Sequence, residues 1–223
     1  MCNSLISVII PVKNGANYLR EAIDSLVGQG VDLEIIVVDD GSTDDTVTIA
    51  SSYGCKVISH PVCKGQVAAK NTGLGAAKGE YVMFMDHDDV MRGGVLKAML
   101  AAFEADPSAS AVQAMVKDFL SPEIKELPGT VVRPDSYYGL FTGAILIRKS
   151  VFDEIGLFSE SRKTGEIIEW STKMEAAGLR ISKIDLVATD RRIHSTNFGR
   201  TDKDREFKDY ASILRERLKF ARK

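Results

Sequence analysis

Three aspartates that follow one apolar stretch of the sequence have the chemistry of a metal site. Asp86, Asp88 and Asp89 come directly after residues 81–85, whose apolar composition is typical of a buried strand. Carboxylates this close together repel one another, and a divalent cation relieves the repulsion. Since Mg²⁺ and Mn²⁺ prefer oxygen ligands, the cluster predicts a site for one of these ions. His87 should face the other side of an extended segment, as a structural histidine.

Polar residues also end two other apolar stretches that are predicted strands. The residues concerned are Pro11, Val12, Lys13 and Asn14 at the first stretch and Asp39 and Asp40 at the second. Ligands of open parallel sheets bind outside the carboxyl ends of the strands, so these residues and the three aspartates are expected to meet at one edge. For any one cluster taken singly, turn or capping chemistry is the alternative explanation.

A phosphate-bearing ligand would need positive charge and N–H donors near that edge. Lys64 and Gly65 precede a predicted helix and Lys70 lies within it, so this segment could supply both. The glycines of residues 73–79 superficially resemble a dinucleotide-binding loop. They follow a helix and precede a strand, which is the reverse of the order that pyrophosphate binding requires, so NAD binding is not expected.

Hydrophobic periodicity predicts an α/β fold that would position these residues. In the first half, short apolar strands alternate with amphipathic helices, which implies right-handed crossovers between parallel strands and helices on both faces of the sheet. The strands are predicted at 7–12, 34–38, 56–59 and 81–85, with helices at 18–27, after a capping box at 42–45, at 66–77 and at 95–104.

The second half has a different character, and its strands are expected to run in mixed directions. Residues 120–135 hold three prolines and are predicted to be a loop. The remaining predicted elements are strands at 111–119, 141–147 and 181–187 and helices at 150–156 and 165–178.

Charge and composition restrict the class of protein. The 223 residues carry a formal charge of −2, from 29 Lys and Arg against 31 Asp and Glu. This balance argues against a nucleic-acid binder, which needs an excess of basic residues. Because the sequence shows neither an internal repeat nor a linker, residues 1–200 are predicted to form one domain, followed by an amphipathic helix at 201–223.

The sequence also carries indications of cellular location. Its 3 cysteines lack CxxC spacing, which favours a reducing compartment, and the apolar residues 5–12 are too few for a signal peptide or a membrane span. We therefore expect a cytoplasmic protein. The helix at 201–223 is basic enough to contact the inner face of a membrane peripherally. Packing on the domain, or on a second subunit of a homo-oligomer, is the alternative.

Four motifs follow one another along the chain: Pro11-Val12-Lys13-Asn14, the run from Ile35 to Asp44, Lys70-Asn71-Thr72-Gly73, and Gly79-Glu80-Tyr81 leading to Met85-Asp86-His87-Asp88-Asp89. Together they resemble family 2 glycosyltransferases of the GT-A fold, the nucleotide-diphospho-sugar transferase fold. The resemblance is close as far as Asp89 and weaker beyond it, through Thr142 to Gly178. It implies a Rossmann-like, mixed and mainly parallel sheet flanked by helices, with a nucleotide-binding half at 1–105 and an acceptor half at 106–200.

The family resemblance implies an activity. Family members transfer a sugar from a nucleotide-diphosphate donor to an acceptor hydroxyl, usually with inversion and with a divalent metal. A UDP-sugar is the expected donor, and the acceptor is expected to be a saccharide, a lipid-linked molecule or another hydroxyl compound. A nucleotidyltransferase of related fold and a non-catalytic nucleotide-sugar binding protein are the alternatives.

The resemblance also implies roles for individual residues. Pro11, Asp39 and Asp40 would surround the nucleobase, with Val12, Lys13 and Asn14 beside them, and Lys70 would lie near the diphosphate. Asp86 and Asp88 take the two places of the DxD motif, with Asp88 as the direct metal ligand and Asp86 nearer the ribose. His194 would be a further metal ligand, the alternative being a surface histidine in a basic loop.

The catalytic base is where the sequence departs from the family pattern. Inversion requires a carboxylate to take the proton of the acceptor hydroxyl, and the family supplies it from an acidic pair after a glycine. Here Glu166 is followed by Ile167, and the next acid is Glu169, one helical turn later. Either glutamate could be the base, and Glu166 is preferred because it holds the first place of the pair. Acids that merely complement a helix dipole are the alternative.

Overall fold

The computed structural model describes residues 4–124, 132–161 and 165–197. These residues form one sheet of eight strands with the order β3-β2-β1-β4-β7-β6-β8-β5. In chain order the strands are β1 (Ile6–Val12), β2 (Leu33–Asp39), β3 (Lys56–Ser59), β4 (Tyr81–Phe84), β5 (Val90–Met91), β6 (Ala111–Leu120), β7 (Ile145–Arg148) and β8 (Ile181–Ile193).

Helices cover both faces of the sheet. They are α1 (Leu19–Leu26), α2 (Thr46–Ser52), α3 (Gln66–Ala76), α4 (Val95–Ala105), α5 (Val151–Ile155) and α6 (Glu166–Ala176). Alternate residues of β1 point to opposite faces, so Val8 and Ile10 pack in one core with α1, α2 and α4. Ile9 packs in the other core with α3, α5 and α6, which also contains Trp170. The predicted mixed sheet flanked by helices is confirmed.

The strand directions bring several carboxyl ends to one edge. Strand β1 is parallel to β2 and β4, and β2 is parallel to β3. Strand β7 is antiparallel to both β4 and β6, and β6 is parallel to β8. Two reversals therefore restore the original direction, so β6 and β8 end at the same edge as β1, β2 and β4. We call this edge the carboxyl edge.

Two predicted strands of the second half differ from those observed. In place of a strand over 141–147, a 3-10 turn occupies Thr142–Ala144 and the strand begins at Ile145. The turn forms because Ala144 N–H donates to the carbonyl of Phe141 and the carbonyl of Gly143 accepts the hydroxyl of Thr189. The last strand does not end at 187, since β8 continues to pair with β6 beyond two register shifts, as far as Ile193.

The predicted capping box at 42–45 is wrong, and the predicted helix at 201–223 is not tested. The capping box at 42–45 does not form, because the Ser42 hydroxyl accepts the N–H of Asn14 and it is Asp44 that accepts the N–H of Thr46, where α2 begins. The helix predicted at 201–223 lies outside the described residues. None of the helices in the described part of the chain is long and apolar enough to cross a membrane.

Helix α3 lies close to the sheet because of a glycine, which allows a stability test. A Cβ on Gly73 would lie 2.3 Å from Ile9 Cγ2, whereas a Cβ on Gly75 would meet nothing within 4 Å. We expect Gly73→Ala to lower the free energy of unfolding by about 1–3 kcal/mol through overpacking. The matched control Gly75→Ala, in the same helix, should raise it by about 0.5–1 kcal/mol because alanine restricts the unfolded chain. Urea denaturation measures both, and changes of the same sign would contradict this packing.

Candidate functional site

The three aspartates after β4 form a compact cluster at the carboxyl edge, in which Asp88 and Asp89 are buried and Asp86 is partly buried. The carboxylates of Asp86, Asp88 and Asp89 all approach within 4.8 Å of one another. The segment is a turn, in which the N–H of Asp89 donates to the carbonyl of Asp86 at 3.3 Å. The extended geometry expected at His87 is therefore wrong. The His87 ring instead packs over Gly15, where a Cβ would come within 2.5 Å of the ring.

His194 contacts the middle carboxylate of this cluster. Its Nε2 donates to Asp88 Oδ2 at 2.7 Å, and Asn197 Nδ2 donates to the same oxygen at 3.2 Å. Burial alone would raise the pKa of Asp88, but the bond from His194, together with the electrostatic effect of His87 and His194, outweighs it, so the pKa lies below the ordinary value. His194 is only 5% exposed, which excludes the surface alternative. Its role as a metal ligand stays a prediction.

Asp89 carries the feature that best fits a bound cation. Its Oδ1 accepts the backbone N–H of Arg192 at 2.9 Å, while its Oδ2 is buried without a hydrogen-bond partner in the described part of the chain. Burial and the nearby carboxylates of Asp88 and Asp86 raise the pKa of Asp89 well above the ordinary value. A buried oxygen without a donor is costly unless an unseen ligand satisfies it. These oxygen donors suit a hard divalent cation.

Asp86 faces the opposite neighbour, helix α3. Its Oδ1 accepts a hydrogen bond from Gln66 Nε2 at 3.3 Å. Burial raises the pKa of Asp86 above the ordinary value, and the positive charge of Lys70 opposes that rise. The acidic cluster is therefore bordered by α3 on one side and by β8 on the other.

Lys70 joins the acidic cluster to the preferred candidate base. Its side chain is 2% exposed, and Nζ lies 2.5 Å from Glu166 Oε1 and 3.3 Å from the Thr142 hydroxyl. Burial lowers the pKa of Lys70, but the negative charges of Glu166 and Asp86 outweigh it, so the pKa is raised. The lysine is thus held in its charged form between the two acids.

The two candidate bases occupy different surroundings on α6. Glu166 pairs with Lys70 across the site, whereas Glu169 forms an i,i+4 ion pair with Lys173 at 3.1 Å. Ile167, at the place where the resembled family has an acid, is 8% exposed and packs in the core with α3 and α5. The structure therefore brings Glu166, but not Ile167, toward the aspartate cluster.

Asp40 is bonded to the loop that follows β3. Its Oδ1 accepts from Lys64 N–H at 2.8 Å and His60 Nδ1 at 2.7 Å, and its Oδ2 accepts from Gly65 N–H at 2.8 Å and Cys63 Sγ at 3.0 Å. Burial would raise the pKa of this carboxyl, but the four bonds outweigh it and lower the pKa to about 2. Asp40 therefore fixes residues 60–65, the segment that leads into α3.

The ends of β1 and β2 are joined through their polar residues. Asn14 has a left-handed φ of 53°, and its Oδ1 accepts the N–H of Thr43 at 2.8 Å. Asp39 Oδ1 accepts the N–H of Ser42 at 2.9 Å. Pro11 and Val12 are the last two residues of β1 and are buried, whereas Lys13 and Asn14 are exposed. These contacts hold residues 11–14 and 39–43 together beside the aspartate cluster. We call this region the floor of the carboxyl edge.

Sequence reasoning missed Arg192, Asn197, Thr142 and Gln66. Each contacts a candidate site residue from a distant part of the chain, as in the bond between Asn197 and Asp88, which are 109 residues apart. Arg192 stands in a stretch of the sequence that reads as a basic loop. Only the continuation of β8 to Ile193 places it against the cluster.

Comparison with known proteins identifies related sequences. Residues 7–161 match the model of glycosyl transferase family 2. The pre-mycofactocin glycosyltransferase of Mycobacterium tuberculosis (strain ATCC 25618 / H37Rv) is 32% identical over 208 residues, which cover 84% of this chain and 43% of the relative. An uncharacterized glycosyltransferase of Rickettsia prowazekii (strain Madrid E) is 36% identical over 176 residues, which cover 71% of this chain and 55% of the relative. The chain thus spans about half the length of these curated relatives.

Solved structures show the same fold. S. aureus TarS 1-349 in complex with UDP-GlcNAc has a TM-score of 0.69 and 25% identity, over 86% of this chain and 59% of that one. The mannosyltransferase PcManGT from Pyrobaculum calidifontis, in complex with GDP-Man and Mn²⁺, has a TM-score of 0.67 and 20% identity, over 86% of this chain and 58% of that one. At that identity the second likeness shows the fold alone.

The bonds of Asp40 predict a pH-dependent contribution to stability. The pKa of Asp40 in the folded protein, about 2, lies below its ordinary value of 3.8. Its contribution to stability is therefore complete above pH 3.8 and is lost as the pH falls from 3.8 through about 2. We expect Asp40→Asn to lower the free energy of unfolding at pH 7 by about 2 kcal/mol. The difference from wild type, measured by urea denaturation, should shrink below pH 4.

Asp45→Asn is the matched control for Asp40→Asn. Asp45 is exposed and makes no side-chain capping bond at the start of α2, so its substitution should leave stability nearly unchanged at every pH. A loss for Asp40→Asn that stays constant from pH 7 down to pH 2 would show that the negative charge of Asp40 is not the source of the effect.

Proposed function

Because the chain belongs to glycosyl transferase family 2, we propose that it transfers a sugar from a nucleotide-diphosphate donor to an acceptor hydroxyl. The observation that carries this proposal is the cluster of Asp86, Asp88 and Asp89 beside the Lys70–Glu166 ion pair. The cluster has the donor atoms for a divalent cation, and the ion pair places a carboxylate close to it. Together they supply the two charges that glycosyl transfer needs, one for the leaving group and one for the acceptor proton.

The proposed donor site is the floor formed by β1 and β2. Pro11, Val12, Lys13, Asn14 and Asp39 would contact the nucleoside, and Asp40 would act indirectly by fixing residues 60–65. A UDP-sugar is the proposed donor, supported by the likeness to TarS, whose structure was solved with UDP-GlcNAc. Lys70 would lie near the diphosphate only if it exchanges part of its contact with Glu166.

The proposed metal ligands are Asp88, Asp86 and His194, with Asp89 as an additional oxygen donor. Mn²⁺ or Mg²⁺ fits these donors, and the unpartnered Asp89 Oδ2 is the observation that supports a cation. When bound, such an ion stabilises the negative charge of a departing diphosphate. In the described structure the bond from His194 lowers the pKa of Asp88, and His194 would bind the ion only by exchanging the contact of Nε2 with Asp88 or that of Nδ1 with Thr196.

Glu166 is the proposed catalytic base. It would accept the proton of the acceptor hydroxyl while that oxygen bonds to the anomeric carbon and the bond from this carbon to the diphosphate oxygen breaks, which inverts the configuration. Lys70 Nζ lies 2.5 Å from Glu166 Oε1, so the lysine fixes the position of this carboxylate beside the aspartate cluster. The acceptor would occupy the half of the sheet that contains β6 and β8, and a saccharide or a lipid-linked alcohol meets the chemical requirement of a hydroxyl group.

Ligand-dependent stability tests the donor site. We expect one nucleoside diphosphate, UDP, to raise the melting temperature with Mn²⁺ or Mg²⁺ and much less with EDTA. At a concentration of a hundred times the dissociation constant, the stabilisation should be about 2.7 kcal/mol, which thermal unfolding detects readily. The panel includes GDP, ADP and CDP, each with Mn²⁺, with Mg²⁺ and with EDTA.

Asp88→Asn is the control for the metal in this experiment, because it keeps the shape of the side chain but removes its charge. In this variant the metal-dependent part of the UDP shift should disappear. The corresponding nucleoside triphosphates are tested in parallel, and stabilisation by these alone would favour a nucleotidyltransferase. If none of the diphosphates shifts the melting temperature, the donor site as proposed is wrong.

Two conservative substitutions separate the candidate bases. Glu166→Gln should slow the release of UDP from a UDP-sugar by about 10²-fold or more, because the amide cannot accept the proton. Glu169→Gln, the matched control on the same helix, should have a far smaller effect because Glu169 pairs with Lys173 of its own helix, whereas Glu166 pairs with Lys70 beside the aspartate cluster. Steady-state rates measure both, with circular dichroism showing that the variants are folded. The opposite order of effects would assign the base to Glu169.

A further inference from the structure

Arg192 is a buried arginine whose role the proposed chemistry does not include. It lies in β8 opposite Phe119 of β6 and is only 3% exposed. Its guanidinium carbon lies 4.6 Å from the centre of the Phe119 ring and 4.8 Å from that of Tyr18. A guanidinium removed from water is costly unless its N–H groups and its charge have partners. The identity of those partners indicates what the residue does.

Two donors of Arg192 hold the acidic turn. The backbone N–H donates to Asp89 Oδ1 at 2.9 Å, and the side-chain Nε donates to the backbone carbonyl of Asp88 at 2.8 Å. The carbonyl of Arg192 in turn accepts from Asn197 Nδ2, which also donates to Asp88 Oδ2, each at 3.2 Å. The position of both aspartates is therefore fixed from the β8 side.

The charge of Arg192 is directed away from the cluster. Nη2 donates to the carboxylate of Glu21 on α1, and Nη1 lies 3.4 Å from the Ser121 hydroxyl. In the described structure the guanidinium thus bonds to the acidic turn through a backbone carbonyl rather than through a carboxylate. The carboxylates of Asp88 and Asp89 keep lone pairs for a cation, and Glu21 balances the positive charge that would otherwise repel it.

We propose that Arg192 is a positioning residue for the divalent cation, and that Glu21 is its counter-charge. Arg192 holds the turn at 86–89 so that the carboxylates of Asp88 and Asp89 face one site, without itself contacting the substrate. This inference rests on the proposed function, because it requires the aspartate cluster to bind a cation.

Direct Mn²⁺ binding tests the role of Arg192. Arg192→Lys keeps the charge but cannot reach both the Asp88 carbonyl and Glu21 with one planar group. We expect its dissociation constant for Mn²⁺, measured from the electron paramagnetic resonance signal of free Mn²⁺ with and without UDP, to rise about 10-fold or more. Saturating Mn²⁺ should restore most of kcat, so the loss falls on metal affinity.

Arg191→Lys is the matched control. Arg191 is the preceding residue of β8, but its side chain points to Asp118, at 3.6 Å, and is 39% exposed. The dissociation constant for Mn²⁺ of this variant should remain close to that of wild type. An Arg192→Lys variant that unfolds at lower temperature yet binds Mn²⁺ as tightly as wild type would show a purely structural arginine and overturn the inference.

Glu21→Gln provides a second test that does not depend on the folding of Arg192→Lys. The Glu21 side chain is 57% exposed, so the fold should tolerate the change. Removing this carboxylate leaves the positive charge of Arg192 unbalanced near the cluster, so Mn²⁺ affinity should fall, though less than in Arg192→Lys. Unchanged affinity would overturn the role of Glu21 as counter-charge. A wild-type protein that fails to bind Mn²⁺ would instead overturn the metal site of the proposed function and the inference with it.

Discussion

The mutual repulsion of three clustered carboxylates, two of them buried, is the constraint that the surrounding structure has to relieve. Asp86, Asp88 and Asp89 lie within 4.8 Å of one another, where water screens their charges poorly. Two reversals of strand direction, into and out of β7, bring the ends of β6 and β8 to the edge where these aspartates lie. The second half of the chain thereby supplies the donors that the aspartates need, above all from His194 and the backbone of Arg192.

The adjacent acids Asp39 and Asp40, at the end of β2, have different roles. Asp40 accepts four hydrogen bonds from residues 60–65, so both of its oxygens serve the loop that leads into α3. Asp39 accepts the N–H of Ser42 through one oxygen and is part of the floor of the carboxyl edge. A loop held by a carboxylate with a pKa of about 2 is held by a charge throughout the neutral pH range. Because the start of α3 is held in this way, the helix keeps Lys70 and Gln66 beside the aspartate cluster.

The sequence predicts the parts of the fold that depend on local pattern and misses those that depend on distant partners. The apolar run at 56–59 and the helical spacing from Gln66 are local signals, and both elements match the prediction closely. The rule that ligands bind at the carboxyl ends of parallel strands brought the aspartates and the β1 and β2 ends together. The charged stretch Asp190-Arg191-Arg192 interrupts any strand pattern in the sequence, and β8 extends through it by pairing with β6. The pairing of Arg192 with Glu21, 171 residues away, likewise depends on that register.

The distribution of charge explains how a cluster of aspartates can stay open to a cation inside a folded protein. The neighbouring basic groups are matched by acids outside the cluster: Lys70 by Glu166, Arg192 by Glu21 and Arg191 by Asp118. Had any of these cations bonded to the aspartates directly, it would have neutralised the carboxylate oxygens that a metal ion requires. The acid of each pair therefore affects the cluster without touching it, because it holds the basic side chain in an ion pair and keeps it from bonding to the aspartates. The pairing of Lys70 with Glu166 adds a consequence, because the acid that restrains this lysine is also the one that we propose as the base for the acceptor hydroxyl.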